Sequence, residues 1–145
     1  IIDPRNAFIM YDLLKEVIKN GTARKAKALK RPDFAGKTGT TNDLMDAWFA
    51  GFNSDIVTVT WMGYDQPKSL GNKETGSRAA LPIWIDYMRP LLKDYPIKNL
   101  VKPEGIIPYK INKKTGMTNN ADENGFYEYF YEEYPPFDNS YFVIN

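Results

Sequence analysis

The chain has 145 residues, 43% hydrophobic and 26% charged, a composition typical of a globular domain or of part of one. It contains no cysteine and no histidine, which excludes disulfides, thiolate metal sites, cysteine nucleophiles and Ser-His-Asp catalysis. No apolar run approaches the roughly 20 residues that cross a bilayer, so we expect no membrane segment in this chain. The chain begins Ile-Ile-Asp, and we interpret this start as that of a fragment or processed product.

The charge is unevenly distributed. Residues 1–120 carry a net charge of +7, whereas residues 121–145 carry six acidic side chains, no basic one and nine aromatic rings. A composition shift of this kind marks a separate unit or extension. We predict a first part at residues 1–96 and a C-terminal extension with an acidic aromatic tail at residues 97–145.

The N-terminal segment has the pattern of an amphipathic helix. Asp3-Pro4 is a typical helix start, and Asn20-Gly21 predicts an end in a left-handed cap. Apolar residues recur between them at helical spacing and predict the buried face: Met10, Leu13, Leu14, Val17 and Ile18. A basic loop is expected to follow at residues 24–31.

Three consecutive strands are predicted next, at residues 34–40, 47–52 and 56–64, with a hairpin turn at residues 53–55. Residues 65–76 read as a loop, and a helix is expected from Leu81-Pro82, kinked at Pro90. A strand is predicted at residues 106–111, with loop over most of residues 97–145. The helical spacing is marked by Trp84, Met88, Leu91, Leu92 and Tyr95. The side chains expected in the core are Trp84, Met88 and Leu91 of this helix and the strand residues Trp48 and Trp61.

Two motifs have weak support. The basic cluster at residues 24–31 could contact nucleic acid, but no aromatic residue interleaves it, and we favour a solvated loop. Gly36-Lys37-Thr38 matches the end of a phosphate-binding loop, but Arg31 stands where the first glycine is needed. We therefore expect neither a nucleic-acid partner nor a phosphate site.

Lys-Thr-Gly occurs twice, at residues 37–39 and 114–116. The second copy lies in a polar turn sequence, and we interpret it as structural. The first lies on a strand among small residues, where a ligand backbone can approach closely. A strict pleat puts Lys37 and Gly39 on one face and Thr38 and Thr40 on the other. For all of them to reach one ligand, the strand must be a twisted edge, which also frees the Thr40 N–H as an oxyanion donor.

The segment Ala35-Gly-Lys-Thr-Gly-Thr-Thr-Asn-Asp43, followed by Asp46-Ala-Trp-Phe-Ala-Gly51, resembles the third active-site motif of penicillin-binding proteins. The resemblance is to the C-terminal part of the transpeptidase domain of class A (bifunctional) enzymes of the penicillin-binding protein 1A type. Asn20-Gly-Thr-Ala23, Trp61-Met-Gly-Tyr-Asp65 and Ala79-Ala-Leu-Pro-Ile-Trp84 fit the same family in the right order. The likeness runs from about Pro4 to Tyr95 and more faintly to Gly116.

The resemblance implies the roles of the first copy. Lys37 belongs to the proton-relay network and attracts the terminal carboxylate of the stem peptide, with which Thr38 and Thr40 form hydrogen bonds. Thr41 is also assigned to substrate binding. Gly39 completes the catalytic motif, and the Thr40 N–H is one oxyanion donor. In the family, a serine attacks the penultimate D-alanyl carbonyl, and an amine from a neighbouring strand resolves the acyl-enzyme. β-Lactams acylate the same serine, and the resemblance implies no cofactor and no metal.

The implied fold is α+β, the C-terminal portion of a serine β-lactamase/transpeptidase-like fold, an antiparallel sheet flanked by helices. The nucleophile motif S-x-x-K and the second motif S-x-N do not occur in the chain. We therefore expect a fragment that is inactive alone, needs the N-terminal part of its domain as a partner, and tends to self-associate. The implied parent has a glycosyltransferase domain upstream and lies in the periplasm, anchored to the bacterial inner membrane. The alternatives are a fragment of a serine β-lactamase and a noncatalytic peptide-binding or structural module.

Overall fold

The computed structural model describes residues 2–118 and 125–136. They belong to two compact units, one formed by Met10–Leu100 and the other by Ile1–Ile9 with Val101–Asn145. In this division the N-terminal residues group with the C-terminal segment. The domain boundary after residue 96 stays a prediction. In the described part of the chain, no helix is both long enough and apolar enough to cross a membrane.

The larger unit contains a three-stranded antiparallel sheet. Its strands are β1 (Ala35–Thr40), β2 (Ala47–Phe52) and β3 (Val57–Met62), in the order β1-β2-β3. The helices are α1 (Pro4–Lys19), whose first residues belong to the other unit, and α2 (Leu81–Leu91). The three predicted strands and the α+β class are confirmed, and β1 is an edge strand of this sheet.

The core lies between one face of the sheet and α2. Trp84 is fully buried, with its ring edge-on to Phe34 at 5.2 Å and to Phe49 at 4.9 Å between centroids. Leu81 and Met88 of the same helix are also fully buried. The predicted core face of α2 is therefore confirmed at Trp84 and Met88. Pro90 lies one residue before the end of α2, where it removes one helical hydrogen bond, the one to the Asp86 carbonyl.

The predicted buried face of α1 is partly wrong. Met10 and Leu13 are 47% and 48% exposed, whereas Phe8, Tyr11 and Ile18 are buried. The prediction is confirmed at Ile18, but the buried face also includes the aromatic residues Phe8 and Tyr11, which the aliphatic pattern left out. The Tyr11 hydroxyl also donates a 2.6 Å hydrogen bond to a backbone carbonyl, that of Asp33.

The end of α1 also differs from the prediction. Gly21 is not among the residues with positive φ, so the helix does not end in a left-handed cap. Glycine is required there for space, because a Cβ would lie 2.8 Å from the Val17 Cα. The expected basic loop contains a 3₁₀ helix, Arg24–Leu29. Arg31 is not solvated, since its side chain is 7% exposed and pairs with the buried Asp33.

The prediction that the strand tryptophans are core residues is wrong. Trp48 and Trp61 are 42% and 45% exposed, with ring centroids 6.1 Å apart. They are direct partners across β2 and β3 and lie on the face opposite Phe49. Val57 and Val59 of the same face are also exposed. Alternation along the strand reveals two faces, but only packing decides which face is covered.

The smaller unit contains an antiparallel pair, β4 (Ile106–Ile111) and β5 (Phe126–Tyr131). The first was predicted, but the second was expected to be loop. Its run of aromatic residues has the side chains that favour strands. Tyr129 meets Phe8 edge-on at 5.0 Å, and Arg5 binds Glu133 at 2.7 Å. Aromatic rings of the acidic segment thus pack within this unit, while the predicted tail from residue 137 lies outside the described residues.

Candidate functional site

The first Lys-Thr-Gly copy lies on the edge strand β1, as predicted. The Lys37 side chain is exposed, and its Nζ donates a 2.8 Å hydrogen bond to the backbone carbonyl of Thr38. No carboxylate in the described part of the chain lies within salt-bridge distance of this Nζ. The ammonium group therefore has donors left for an external anion.

The Thr38 hydroxyl is paired with a second hydroxyl from the segment that follows α1. The Oγ1 atoms of Thr22 and Thr38 lie 2.7 Å apart. One of the two hydroxyl protons forms this hydrogen bond, so the other proton of the pair remains available to a ligand. Thr22 was not singled out as a site residue from the sequence, although it lies in the Asn-Gly-Thr-Ala segment that fits the family.

The Thr40 hydroxyl accepts a 3.0 Å hydrogen bond from the backbone N–H of Gly76. Since the hydroxyl is the acceptor, its own proton remains available to a ligand. Gly76 begins a π-helix (Gly76–Ala80) that packs on the strands, and a Cβ there would come within 2.4 Å of the carbonyl oxygens of Gly39 and Trp48. The sequence predicted only a loop up to residue 76, since close packing of a backbone leaves no periodic pattern.

The glycines of β1 serve different purposes. Gly36 was expected to make room for a ligand, but it is buried, and a Cβ there would lie 2.7 Å from the Phe49 Cζ. Its small size therefore serves core packing. At Gly39 a Cβ would lie 3.1 Å from the Cβ of Trp48, on the exposed face of the sheet. Of the two glycines, only Gly39 leaves the strand without a side chain at a place that an incoming molecule could reach.

Thr41 is held inside the connection between β1 and β2. Its Oγ1 accepts a hydrogen bond from the Asp46 N–H at 2.8 Å and donates one to Asp46 Oδ2 at 3.3 Å. The side chain that was assigned to substrate binding thus already has partners in the turn. Asn42 and Asp43 form a short 3₁₀ segment with Leu44 in this turn.

The second Lys-Thr-Gly copy forms a turn, as interpreted from the sequence. Asn112 Oδ1 accepts hydrogen bonds from the N–H groups of Lys114 at 2.8 Å and Thr115 at 3.2 Å. Gly116 adopts a φ of +71°, which favours glycine. This copy has the composition of the first without an edge strand beneath it, so it provides a matched control.

The site has the chemistry of an anion-binding strand. β1 carries an exposed ammonium group, the Thr38–Thr22 hydroxyl pair and the Thr40 hydroxyl, each of which is suited to donate to a carboxylate. The register places Lys37 opposite Ala50, and it places Thr38 and Thr40 opposite Phe49 and Ala47 on the other face of the strand. Among the described residues there is no group of three histidine, cysteine, aspartate or glutamate side chains that could hold a metal ion.

The comparisons with curated proteins and with solved structures lead to the same family. The chain is 51% identical over 137 residues to penicillin-binding protein 1A of Pseudomonas aeruginosa, which covers 94% of this chain and 17% of that protein. It is 55% identical over 106 residues to penicillin-binding protein 1A of Neisseria lactamica, covering 73% of this chain and 13% of that protein. The crystal structure of penicillin-binding protein 1A from Haemophilus influenzae superposes with a TM-score of 0.87 at 35% identity, over 95% of this chain and 22% of that one. No protein-family model matches the chain. The chain therefore spans less than a fifth of the curated relatives it matches.

Proposed function

The chain belongs to the penicillin-binding protein 1A family, and we propose from this that it forms one wall of a peptidoglycan D,D-transpeptidase site. The observation that carries the proposal is the edge strand β1, which presents Lys37 and the hydroxyls of Thr38 and Thr40 as donors. The full-length protein that carries this sequence is called the parent protein below. Its transpeptidase domain is extracytoplasmic, and the parent is anchored to the inner membrane.

Each donor of β1 has its own role in binding a stem peptide that ends in D-Ala-D-Ala. Lys37 attracts the terminal carboxylate and takes part in the proton relay. The Thr40 hydroxyl donates to the same carboxylate, since the Gly76 N–H occupies it only as an acceptor. The Thr38 hydroxyl contributes the remaining proton of its pair with Thr22. The Thr40 N–H stabilises the oxyanion of the tetrahedral intermediate.

The nucleophile comes from a segment outside this chain. None of the four serines of the 145-residue sequence begins an S-x-x-K motif. In the proposed reaction, that serine loses its proton to the relay and attacks the penultimate D-alanyl carbonyl, and the terminal D-alanine leaves with a proton. An amine from a neighbouring stem peptide then displaces the serine and forms the cross-link. β-Lactams acylate the same serine, and no step needs a cofactor.

Thr41 has a different role from the one that its place in the motif implied. Its hydroxyl already has a donor and an acceptor partner in Asp46. We assign Thr41 to shaping the end of β1 rather than to direct contact with the substrate. Gly39 contributes by leaving the strand accessible beside Trp48.

The test is covalent labelling of the parent protein with a fluorescent penicillin, read by intact mass. Lys37→Ala is expected to lower the labelling rate by about 100-fold or more, because the site loses its cation and part of its proton relay. Lys114→Ala, the same substitution in the second Lys-Thr-Gly copy, should label like the unsubstituted protein. Equal rates for the two variants would refute the assignment of the site to β1.

Two further readouts separate the alternatives. The 145-residue chain alone should gain no adduct, and an adduct would show that one of its own serines is the nucleophile. Rapid turnover of a chromogenic β-lactam by the parent protein would favour a β-lactamase over a transpeptidase. A transpeptidase should instead remain acylated and turn the β-lactam over slowly.

A further inference from the structure

Asp46, the residue before β2, holds the end of β1 with both its backbone and its side chain. The Thr41 N–H donates to the Asp46 carbonyl at 3.1 Å, and the Asp46 N–H donates to Thr41 Oγ1 at 2.8 Å. Thr41 Oγ1 in turn donates to Asp46 Oδ2 at 3.3 Å. Thr41 therefore cannot rotate or shift without breaking three hydrogen bonds, and Thr40 is bonded directly to it.

The second oxygen of the same carboxylate reaches the third strand. Trp61 Nε1 donates a 2.9 Å hydrogen bond to Asp46 Oδ1. Gly63 makes room for this contact, because a Cβ at that position would lie 2.8 Å from Asp46 Oδ1 and 2.4 Å from Trp61 Cζ2. With a donor on each oxygen, the carboxylate has one orientation. It ties the connection between β1 and β2 to the side of the sheet on which Trp61 lies.

The connection needs such a restraint because its backbone is strained. Asp43 and Leu44 are consecutive residues with φ of +59° and +57°, a region that side chains other than glycine rarely adopt. Leu44 is also held on both sides, since its N–H donates to the Thr41 carbonyl at 3.2 Å and its carbonyl accepts from Leu70 at 2.8 Å. Loss of the Asp46 carboxylate would leave the two hydrogen bonds that its backbone makes with Thr41, but it would remove those from Thr41 Oγ1 and Trp61 Nε1. We expect the strained segment, and the end of β1 with it, to gain freedom to move.

Under the proposed function, the end of β1 is where position matters most. The Thr40 N–H and hydroxyl act there on an oxyanion and a carboxylate, and a displacement of about 1 Å can lower a rate by about 100-fold. We propose that Asp46 is a positioning residue that sets the geometry of Thr40 through Thr41 and Trp61. This inference rests on the proposed transpeptidase function and adds to it a residue outside the Lys-Thr-Gly motif.

A purely structural role for Asp46 makes a different prediction. In that case its loss would lower the stability of the whole domain and the fraction of active protein, while the protein that remained folded would react at the normal rate. A positioning role instead lowers the limiting rate of acylation in protein that is fully folded. The noncovalent affinity for the β-lactam should change less than the rate, because Lys37 and Thr38 remain in place to bind the carboxylate even when Thr40 is displaced.

The experiment measures the acylation of the parent protein by a fluorescent penicillin over a range of concentrations. This separates the limiting rate of acylation from the apparent affinity, and a thermal melt of each variant is recorded beside it. Asp46→Ala is expected to lower the limiting rate by about 10- to 100-fold with less than about a threefold change in affinity. The matched control is Asp86→Ala, the same substitution at an exposed position of α2, which should leave both constants unchanged.

Two conservative variants show whether the hydrogen bonds carry the effect. Asp46→Asn keeps an oxygen for Trp61 Nε1 and an amide that can donate to Thr41 Oγ1, so it should restore the rate to within about threefold. Trp61→Phe removes the indole donor while keeping an aromatic ring beside Trp48, and it should lower the limiting rate by several-fold. It also provides the decisive comparison if Asp46→Ala does not fold.

The outcomes distinguish this proposal from the proposed function. No labelling of the unsubstituted parent protein would refute the function itself. Normal labelling of that protein, with an unchanged limiting rate in folded Asp46→Ala, would overturn only the role of Asp46. The role would also be overturned by an unchanged rate in Trp61→Phe when Asp46→Ala is unfolded, or by a rate in Asp46→Asn as low as that in Asp46→Ala.

Discussion

Replacing Arg31 with methionine should be among the most destabilising single changes in the larger unit. The Arg31 guanidinium binds the Asp33 carboxylate through two parallel hydrogen bonds, Nε to Oδ1 at 2.7 Å and Nη2 to Oδ2 at 2.6 Å. The two side chains are only 7% and 0% exposed. Methionine has a similar length, so it fills much of the space while it removes the charge and every donor.

The magnitude follows from what the substitution leaves behind. Asp33 would keep one close side-chain donor, Asn53 Nδ2 at 3.2 Å, for a fully buried carboxylate. The carbonyls of Tyr95 and Pro96, which accept from Arg31 at 2.8 and 3.2 Å, would also lose a donor. Removing one partner of a buried ion pair typically costs about 3–5 kcal/mol. That is a large fraction of the roughly 5–15 kcal/mol by which a domain is stable.

The assay is urea denaturation of the chain, followed by tryptophan fluorescence because Trp84 lies in the core. Lys25→Met is the matched control, since the same substitution falls in the same basic segment at an exposed lysine. It should change the free energy of unfolding by less than about 0.5 kcal/mol. The double variant Arg31→Met/Asp33→Asn should recover part of the loss, because the buried charge is gone. A loss below about 1 kcal/mol in Arg31→Met would refute the argument that this pair is buried and rigid.

Two further substitutions test the packing of the core. Gly51→Ala would place a Cβ 2.5 Å from the Trp84 Cζ2 and should lower the free energy of unfolding by about 1–3 kcal/mol; an unchanged urea midpoint would show that the tryptophan can move aside. Tyr11→Phe removes the 2.6 Å hydrogen bond to the Asp33 carbonyl and should cost about 1 kcal/mol, measured by the same titration. A more stable Tyr11→Phe variant would contradict this assignment.

Local sequence signals predicted the elements of the larger unit well. The proline at the start of α1, the polar residues between β2 and β3, and the helical spacing of Trp84 and Met88 each have a direct local cause, and the structure has the elements they predict. The antiparallel order of β1, β2 and β3 follows from their short connections. Such features depend on residues that are close in the chain.

The predictions are wrong where burial or orientation depends on a residue far away in the chain. Trp48 and Trp61 alternate as expected of strand residues, but the sequence does not show that α2 covers the opposite face. Thr41 is hydrogen-bonded to Asp46, and the Asp46 carboxylate also accepts a hydrogen bond from Trp61, 15 residues further along the chain. The motif at β1 could thus be located by its pattern, whereas the contacts that orient its hydroxyls could not.

The basic cluster shows the same limit for charges. Five cations at residues 24–31 suggested a solvated loop, and nothing in their spacing separated Arg31 from the others. In the structure Arg31 differs from the other four cations because it pairs with the buried Asp33 and donates to the Tyr95 carbonyl in the segment after α2. A charged residue of a basic cluster can therefore be buried when an oppositely charged partner lies two residues away and is itself buried.

The same pair should make the effect of Arg31→Met depend on pH. Burial alone raises the pKa of Asp33, but the hydrogen bonds and charge of Arg31, together with hydrogen bonds from Asn53 and the backbone, hold the pKa below its usual value. In the unsubstituted chain, Asp33 therefore contributes stability that is fully present above pH about 4, the pKa of an unfolded aspartate, and is lost as the pH falls through the lower folded pKa. In Arg31→Met only burial and weaker contacts remain, so the pKa should rise and the variant should gain stability on acidification.

The difference in unfolding free energy between the two proteins should shrink between pH 7 and pH 3.5, measured by urea titrations at both values. Other carboxyl groups are common to both proteins and cancel in this difference. A difference that stays constant or grows with acid would mean that the Asp33 carboxylate does not depend on Arg31 for its charge.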